Sequence, residues 1–286
     1  MITFLNPKRD GERNIFSDLA CERRRADTEL DGVTYKKVPC PIGSWEKLSI
    51  TSEDGAKSIG RPCGNYDTLN TKRLDLIDFD TLEDGKEEIA RELCELFDKN
   101  GASPERLLVV GLGNKRLTPD AIGPLTASMV RPTKHIRDLD AGMFYALECS
   151  EISVITPGVR SESGMESAVA VTSICKSIEP TAVIAIDALA SRSPERLGAT
   201  VQICDTGIFP GTGIGRGGMA INSELLGVPV FAIGVPTVMD SRLFSSDADT
   251  RGGMFVSPKD IDSIVKTGAM MISGGINQAF GIDFSF

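Results

Sequence analysis

Mainly apolar runs alternate with helix-like stretches along most of this 286-residue chain. Five such runs end at or just before a glycine, a proline or an aspartate, and they cover residues 107–110, 152–155, 182–186, 200–204 and 230–233. Runs of this kind are typical of strands that are buried on both faces of a parallel sheet. They therefore predict a sheet in the interior of the molecule.

Helices are predicted between and after these strands, over about residues 82–100, 162–178 and 258–278. In the first, one apolar face is formed by Ile89, Leu93, Leu96 and Phe97. Ser257 is the expected N-cap of the last, with Pro258 at its first position. Strands that alternate with helices predict an α/β fold: three layers, with a doubly wound, mostly parallel sheet and helices on both faces.

The N-terminal part of the chain has a different pattern. Residues 17–80 carry short β-like pieces separated by glycines, prolines and aspartates, which predicts a β-rich elaboration of meandering strands. Residues 1–30 are rich in charge and predict a surface arm or a first helix, and residues 1–16 are a candidate short pro-segment or arm. No linker composition occurs in the middle, so residues 1–286 are predicted to form a single domain.

Charge and cysteine content restrict the class of protein. The formal net charge of −9 disfavours direct binding to nucleic acid, which is itself densely negative. Seven cysteines without a Cys-x-x-Cys pair argue against a disulfide framework or a zinc site and favour the reducing cytoplasm. No signal peptide or membrane-length apolar run is present, so no membrane partner is expected.

Aspartates follow three of the predicted strands, at the edge where open parallel sheets form their sites. In Thr118-Pro119-Asp120, Thr118 is the expected N-cap of a helix and Pro119 its first residue. Asp120 is then as well explained by the helix dipole as by catalysis. Asp187 closes an apolar strand, where a charge is costly unless it is paired or protonated, which favours function over a capping role. Asp205-Thr206-Gly207 predicts a turn.

Other chemistries have weaker support in the sequence. The Gly111-Leu112-Gly113 loop lacks the third glycine of a dinucleotide fingerprint, because Arg116 stands there, so no cofactor is expected. His135 is the only histidine, which rules out a three-histidine zinc site. A serine or cysteine nucleophile would depend on that same histidine, and the chain has no Gly-x-Ser-x-Gly elbow. Carboxylates remain as the candidate catalysts, and no metal is expected.

Several segments, in order along the chain, resemble the germination proteases of endospore-forming bacteria. They are Ser17-Asp18-Leu19-Ala20-x-Glu22, Gly64-x-Tyr66-x-Thr68, Gly111 to Pro124, Thr156-Pro157-Gly158-Val159, Gly164-Met165-Glu166, Ile186-Asp187-Ala188-Leu189-Ala190-x-Arg192, Asp205-Thr206-Gly207-Ile208-x-Pro210-Gly211, and Phe255 to Asp262. The resemblance covers nearly the whole chain. It departs from the family pattern at Ser161, Ser163, Ser167 and Arg216.

The resemblance implies an atypical aspartic-type endopeptidase that degrades small acid-soluble spore proteins during germination, in the cytoplasm of the forespore or spore core. The two aspartates on which the family relies match Asp120 and Asp187. It also implies a fold similar to that of hydrogenase-maturation peptidases, a homotetramer and a zymogen with a removable pro-segment. Weaker expectations are substrate-binding roles for Asn114, Thr118, Asp205, Gly211 and Gly213.

The expected mechanism is attack of water assisted by both aspartates. If the two carboxyls approach each other, repulsion between like charges leaves one protonated near neutral pH. The ionised partner then activates water and the protonated one serves as acid, although the sequence does not assign the two roles. Two alternatives stay open: a hydrogenase-maturation-like peptidase of the same fold, and a non-catalytic sporulation protein that kept the fold.

Overall fold

A computed structural model describes residues 17–24, 30–210, 218–244 and 254–282. Its strands join one nine-stranded sheet in the order β1-β2-β3-β7-β8-β6-β4-β5, with β9 paired to the far end of β8. The strands are β1 (Val33–Cys40), β2 (Gly43–Ile50), β3 (Gly64–Asn70), β4 (Arg106–Gly111), β5 (Glu151–Ile155), β6 (Ala182–Ser191), β7 (Thr200–Cys204), β8 (Val230–Asp240) and β9 (Phe255–Val256).

The α-helices of the described residues cover both faces of this sheet. They are α1 (Glu53–Ile59), α2 (Phe79–Lys99), α3 (Ile122–Met129), α4 (Lys134–Leu139), α5 (Ala141–Ala146), α6 (Arg160–Ser163), α7 (Ser167–Ile178), α8 (Ser223–Leu226) and α9 (Ile261–Ala279). Among these helices, none combines the length and the apolar composition that a membrane span requires.

Alternation along β6 divides the core between the two faces. Ile184 and Ile186 pack into the larger apolar cluster, which includes residues of α2, α3 and α9. Val183 and Ala185 point the other way, into a cluster that includes residues of α1 and α7. The expected α/β fold in three layers, with a mostly parallel sheet and helices on both faces, is confirmed.

The sheet is parallel only in its β8-β6-β4-β5 half. β7 runs antiparallel to both β8 and β3, and β1, β2 and β3 form an antiparallel meander, as expected of the β-rich elaboration. β7 runs opposite to β4 and β6, and its last residue, Cys204, lies level with Ala232 of β8, Ala185 of β6 and Val110 of β4. The apolar pattern of residues 200–204 identified a buried strand, but such a pattern carries no information about strand direction.

Several predicted boundaries were wrong, for local reasons. The stretch 162–178 contains two helices, because Gly164 adopts a left-handed conformation with φ of 74° and ends α6. The last helix begins at Ile261, since residues 255–256 are held as strand β9 and Ser257 with Pro258 continue that connection. Thr118 is not an N-cap but lies within a 3₁₀ turn, Thr118–Asp120.

The described part of the N-terminal arm is also not a surface segment. Leu19 and Ala20 are fully buried, and Ala20 packs into the α1/α7 side of the core. Cys21–Arg23 form one 3₁₀ turn, where a first helix was one of the two expectations. The candidate pro-segment, residues 1–16, lies outside the described residues.

A buried carboxyl pair joins the β-rich elaboration to α2. Asp67 on β3 and Glu92 on α2 are each 2% exposed, and Lys47 Nζ on β2 lies 2.7 Å from Glu92 Oε2. Burial, together with the hydrogen bond and the charge of Glu92, raises the pKa of Asp67 to about 8, and the charge of Lys47 lowers it by less. Asp67 therefore holds a proton in the folded protein near neutral pH.

Replacement of Asp67 by asparagine is expected to remove a pH-dependent loss of stability. In the unfolded chain Asp67 releases its proton at about pH 4, whereas in the folded protein it keeps the proton up to about pH 8. The wild-type free energy of unfolding therefore falls as the pH rises from about 4 to about 8. Urea denaturation should give Asp67→Asn a flatter profile and an advantage of at least about 1 kcal/mol at pH 8. Parallel profiles for the two proteins would contradict the assignment, with Asp54→Asn as the exposed control.

Candidate active site

The order of the parallel strands creates a crevice between β4 and β6. The chain leaves β4 and passes through α3 on one face to reach β5 on one side of it. It then returns through α7 on the other face to β6 on the other side. β4 is therefore the point where the winding reverses, and open α/β sheets bind their ligands beyond the carboxyl ends of the strands at such a point.

Asp187 lies within β6 on one wall of this crevice. It is 8% exposed, and its Oδ1 accepts a hydrogen bond from Ala188 N at 2.8 Å. The alternation of the strand directs its side chain to the face shared with Val183 and Ala185. The neighbouring residue on β8 is Gly234, and the Leu189 side chain occupies the space that a Cβ at that position would take.

Asp120 reaches the crevice from the loop after β4. It ends the Thr118–Asp120 turn, and its Oδ2 accepts a hydrogen bond from Asn114 N at 2.8 Å. Gly113 makes this approach possible: its φ is +109°, and a Cβ there would lie 2.1 Å from the Asp120 carbonyl oxygen. The second glycine of the loop therefore positions a carboxylate and is not evidence of a nucleotide.

The two carboxyls have different electrostatic environments. Burial raises the pKa of Asp187 well above its ordinary value, and the negative charge of Asp120 raises it further, as does that of Asp18 to a smaller extent. Burial also raises the pKa of Asp120, against the stabilising Asn114 N–H. Asp187 consequently holds its proton more strongly, and Asp120 ionises first.

Both carboxyls line a cavity of about 580 Å³ on the α1/α7 face of the sheet. Large apolar side chains form much of its wall: Leu117, Leu189, Ile208, Phe209, Val238 and Phe255. Polar groups converge among them, namely Asp18, Arg61, Gln202, Thr206, Thr237 and Ser257. A mainly apolar cavity with a few convergent polar groups and titratable residues of shifted pKa is the usual form of a binding or catalytic site.

The N-terminal segment contributes Asp18 to the lining of this cavity. Two hydrogen bonds join Asp18 to Ala190. Asp18 N donates to Ala190 O at 2.8 Å, and Ala190 N donates to Asp18 Oδ2 at 2.9 Å. Gln202, in the same row of the sheet as Asp187, accepts from Ala20 N at 2.8 Å and donates to Asp18 O. Glu22 Oε2 accepts from Arg192 N at 2.7 Å.

Sequence reasoning did not identify Asp18 or Gln202 as parts of the site. Asp18 belongs to a segment that resembles the family, and Gln202 belongs to a predicted strand. Neither residue has a local sequence pattern that indicates which residues it contacts. Ser17 to Glu22 meets residues that lie more than 160 positions later in the chain. An isolated polar residue in a predicted buried strand, such as Gln202, is the one signal that was available.

The other predicted site residues are distributed over different places. Asn114 lies beside Asp120, and Thr118 lines a neighbouring crevice that also contains Thr156. Asp205 is not among the residues that line the cavity, although its neighbours Cys204 and Thr206 are: its carboxylate accepts from Asn65 N at 2.7 Å and from Asn100 Nδ2 at 3.0 Å. Gly211 and Gly213 lie outside the described residues.

Within the described ranges, no three or more His, Cys, Asp or Glu side chains come together in a way that could hold a metal ion. His135 lies on the short helix α4 and does not line the cavity.

Comparison with known proteins identifies the family. A family model described as "Germination protease" matches residues 12–250. The chain is similar to the germination protease of Clostridium perfringens, with 34% identity over 93% of this chain and 95% of that protein. It is also 34% identical to the germination protease of Caldanaerobacter subterraneus subsp. tengcongensis, over 93% of this chain and 94% of that one.

A solved structure with similarity to the model is the [NiFe] hydrogenase maturation protease HycI from Thermococcus kodakarensis. The TM-score is 0.36 at 18% sequence identity, and the match covers 64% of this chain and 96% of that one. The family assignment rests on the match to the family model and on the sequence identity to the two germination proteases, and it does not use this structural similarity. The chain belongs to the germination protease family.

Proposed function

We propose that this protein is an endopeptidase that initiates the degradation of small acid-soluble spore proteins, by attack of water assisted by Asp120 and Asp187. Membership of the germination protease family supports a protease. The observation that carries the two-aspartate mechanism is the pairing of these carboxyls in one cavity, where the charge of Asp120 raises the pKa of Asp187. Two carboxyls with separated proton affinities supply the base and the acid that hydrolysis of a peptide bond needs.

In the proposed reaction, ionised Asp120 removes a proton from a water molecule as its oxygen attacks the scissile carbonyl carbon. Protonated Asp187 donates a hydrogen bond to the carbonyl oxygen, which gains negative charge in the tetrahedral intermediate. The C–N bond then breaks as the leaving nitrogen takes a proton from a carboxyl. The products are a carboxylic acid and an amine, and the pair regains its original single proton.

The cavity wall provides the proposed contacts with substrate. Leu189 and Phe209 line the same cavity as the two carboxyls, so they would bind apolar parts of the substrate and exclude water. Gly211 and Gly213 follow Phe209 closely in the chain, and we retain them, with Thr118, as substrate-binding proposals. Asn114 takes a positional role through its N–H, and Asp205 is left out because its carboxylate is engaged elsewhere.

We also propose, from the family resemblance, a homotetrameric zymogen in the spore interior. Three exposed apolar side chains on α4 and α5 favour a contact between subunits: Leu139, Met143 and Tyr145 are 85%, 56% and 67% exposed. Apolar groups that cluster on a surface commonly mark interaction sites.

Removal of either carboxylate is expected to abolish cleavage. Asp120→Asn and Asp187→Asn should each lower kcat for a purified small acid-soluble spore protein by at least about 100-fold, since each loses a proton-transfer group. Fragments separated by gel and identified by mass spectrometry provide the measurement. Asp54→Asn is the matched control, because that side chain is 89% exposed on α1.

The same assay separates the alternatives. Full activity in either catalytic variant would refute the two-aspartate mechanism. Loss of activity on treatment with a chelator would favour a hydrogenase-maturation-like peptidase. An absence of fragments with the activated wild-type protein would favour a non-catalytic sporulation protein.

The assignment of the proton to Asp187 predicts a stability change. Folded Asp187 has a raised pKa, so its contribution is complete below the unfolded value of about 4 and is lost as pH rises towards the folded value. Asp187→Asn stays neutral and avoids that loss. Its gain in Tm over wild type should therefore be larger at pH 7.5 than at pH 5, by roughly 2 °C or more.

Thermal unfolding monitored by circular dichroism at the two pH values is the measurement. Asp120→Asn should flatten the pH dependence of Tm less than Asp187→Asn does, because Asp120 is the more acidic member of the pair. A larger effect from Asp120→Asn than from Asp187→Asn would reverse the two roles.

A further inference from the structure

Strand β8 contains an irregularity beside the active site. Its pairing with β6 is regular from Val183 and Val230 up to Leu189 and Pro236, but Ala190 then pairs with Val238. Thr237 is thus an extra residue, the centre of a β-bulge. Pro236 has no N–H to give to the ladder, and prolines inside sheets are found at such bulges.

The bulge directs the Thr237 hydroxyl to the loop that carries Asp120. Thr237 is fully buried, and its Oγ1 donates a hydrogen bond to Pro119 O at 2.6 Å. Both residues line the cavity together with Asp120. β-Bulges are frequent next to active sites, where they change the direction of a side chain, and this one joins β8 to the residue that precedes a catalytic candidate.

The turn that carries Asp120 has limited local support of its own. It is a single 3₁₀ turn of three residues, and Leu117 before it provides no side-chain cap. Asp120 N bonds to Leu117 O at 2.8 Å, and Asn114 N holds the carboxylate from the loop side. Thr237 adds a contact from the sheet, so that Asp120 is fixed relative to Asp187 through β8 and β6.

We infer that Thr237 is a positioning residue for hydrolysis: its hydroxyl, placed by the bulge, holds the Pro119–Asp120 peptide so that the Asp120 carboxylate faces Asp187. This role rests on the proposed function of the two aspartates. Displacement of a reacting group by about 1 Å can cost a factor of roughly 100 in rate, so loss of one such contact is expected to affect turnover more than binding.

Two substitutions at Thr237 test this inference. Thr237→Val keeps the shape and removes the hydroxyl, and it is expected to lower kcat for a small acid-soluble spore protein at least about tenfold with KM within about twofold. The limb of the kcat/KM profile that reports ionisation of Asp120 should shift to lower pH, since a looser turn exposes that carboxyl to water. Thr237→Ser restores the donor and should keep at least about a third of the wild-type kcat.

Thr200→Val is the matched control. Thr200 is also a buried threonine of the sheet, 1% exposed, and its hydroxyl donates to Arg196 O at 3.1 Å, but it does not line the cavity. This variant should lose similar stability in a thermal melt and keep its kcat within about twofold. Thr237→Ala, which lacks the hydroxyl without adding a methyl group next to Pro119, provides a second test if Thr237→Val does not fold.

The outcomes separate this inference from the proposed function. If Asp120→Asn and Asp187→Asn are inactive but the hydroxyl-free variants keep the wild-type kcat and pH profile, Thr237 has no positioning role and the two-aspartate mechanism stands. Equal losses in Thr237→Val, Thr237→Ser and Thr200→Val would show a general effect on stability and also overturn the inference. Full activity in Asp120→Asn or Asp187→Asn overturns the proposed function itself, and the positioning role with it.

Discussion

The burial of the Asp187 carboxyl within a central strand is the constraint on which the rest of the site depends. Burial of an ionised carboxylate costs roughly several kcal/mol of folding free energy unless hydrogen bonds or an opposite charge offset it. Burial of a protonated carboxyl costs much less. Ala188 N–H is one compensating donor, but the nearby charges of Asp120 and Asp18 act in the opposite direction. The surroundings of Asp187 therefore favour its neutral form.

This constraint explains why the second carboxyl is built in a different way. Asp120 lies on a loop, receives the Asn114 N–H, and keeps more contact with solvent than Asp187. The close approach of loop and turn requires Gly113, whose missing side chain leaves room for the Asp120 backbone. Two chemically identical groups thus acquire different proton affinities from the strand and the loop that hold them.

The sequence was sufficient for the layers and for most of the strands, because these features depend on local apolar patterns. The apolar run that Asp187 closes favoured that residue, but local patterns explained Asp120 equally well by the helix dipole, and the family resemblance selected the pair. The direction of β7 was not predictable, because a buried strand has the same pattern whichever way it runs. With β7 reversed, Gln202 lies level with Asp187 across Gly234, and the Asp205 carboxylate is engaged by Asn65 and Asn100. The position of Asp18 in the cavity depends on contacts of the segment Ser17 to Glu22 with residues far along the chain, which no local pattern indicates.

The reversed strand also determines when this protein can assemble. β3 ends at Asn70 but pairs with β7, which begins at Thr200, so about 130 residues of chain separate the two partners. At a ribosomal rate of about 5–20 residues per second, the meander waits roughly 7–26 s for the strand that completes its pairing. The segment that begins at Ser17 likewise forms its hydrogen bonds with Ala190 and Gln202 only after those residues have been synthesised. Thr237, Phe255 and Ser257 also line the cavity, so a nascent chain has no complete cleft until these residues, which follow β7, have left the ribosome.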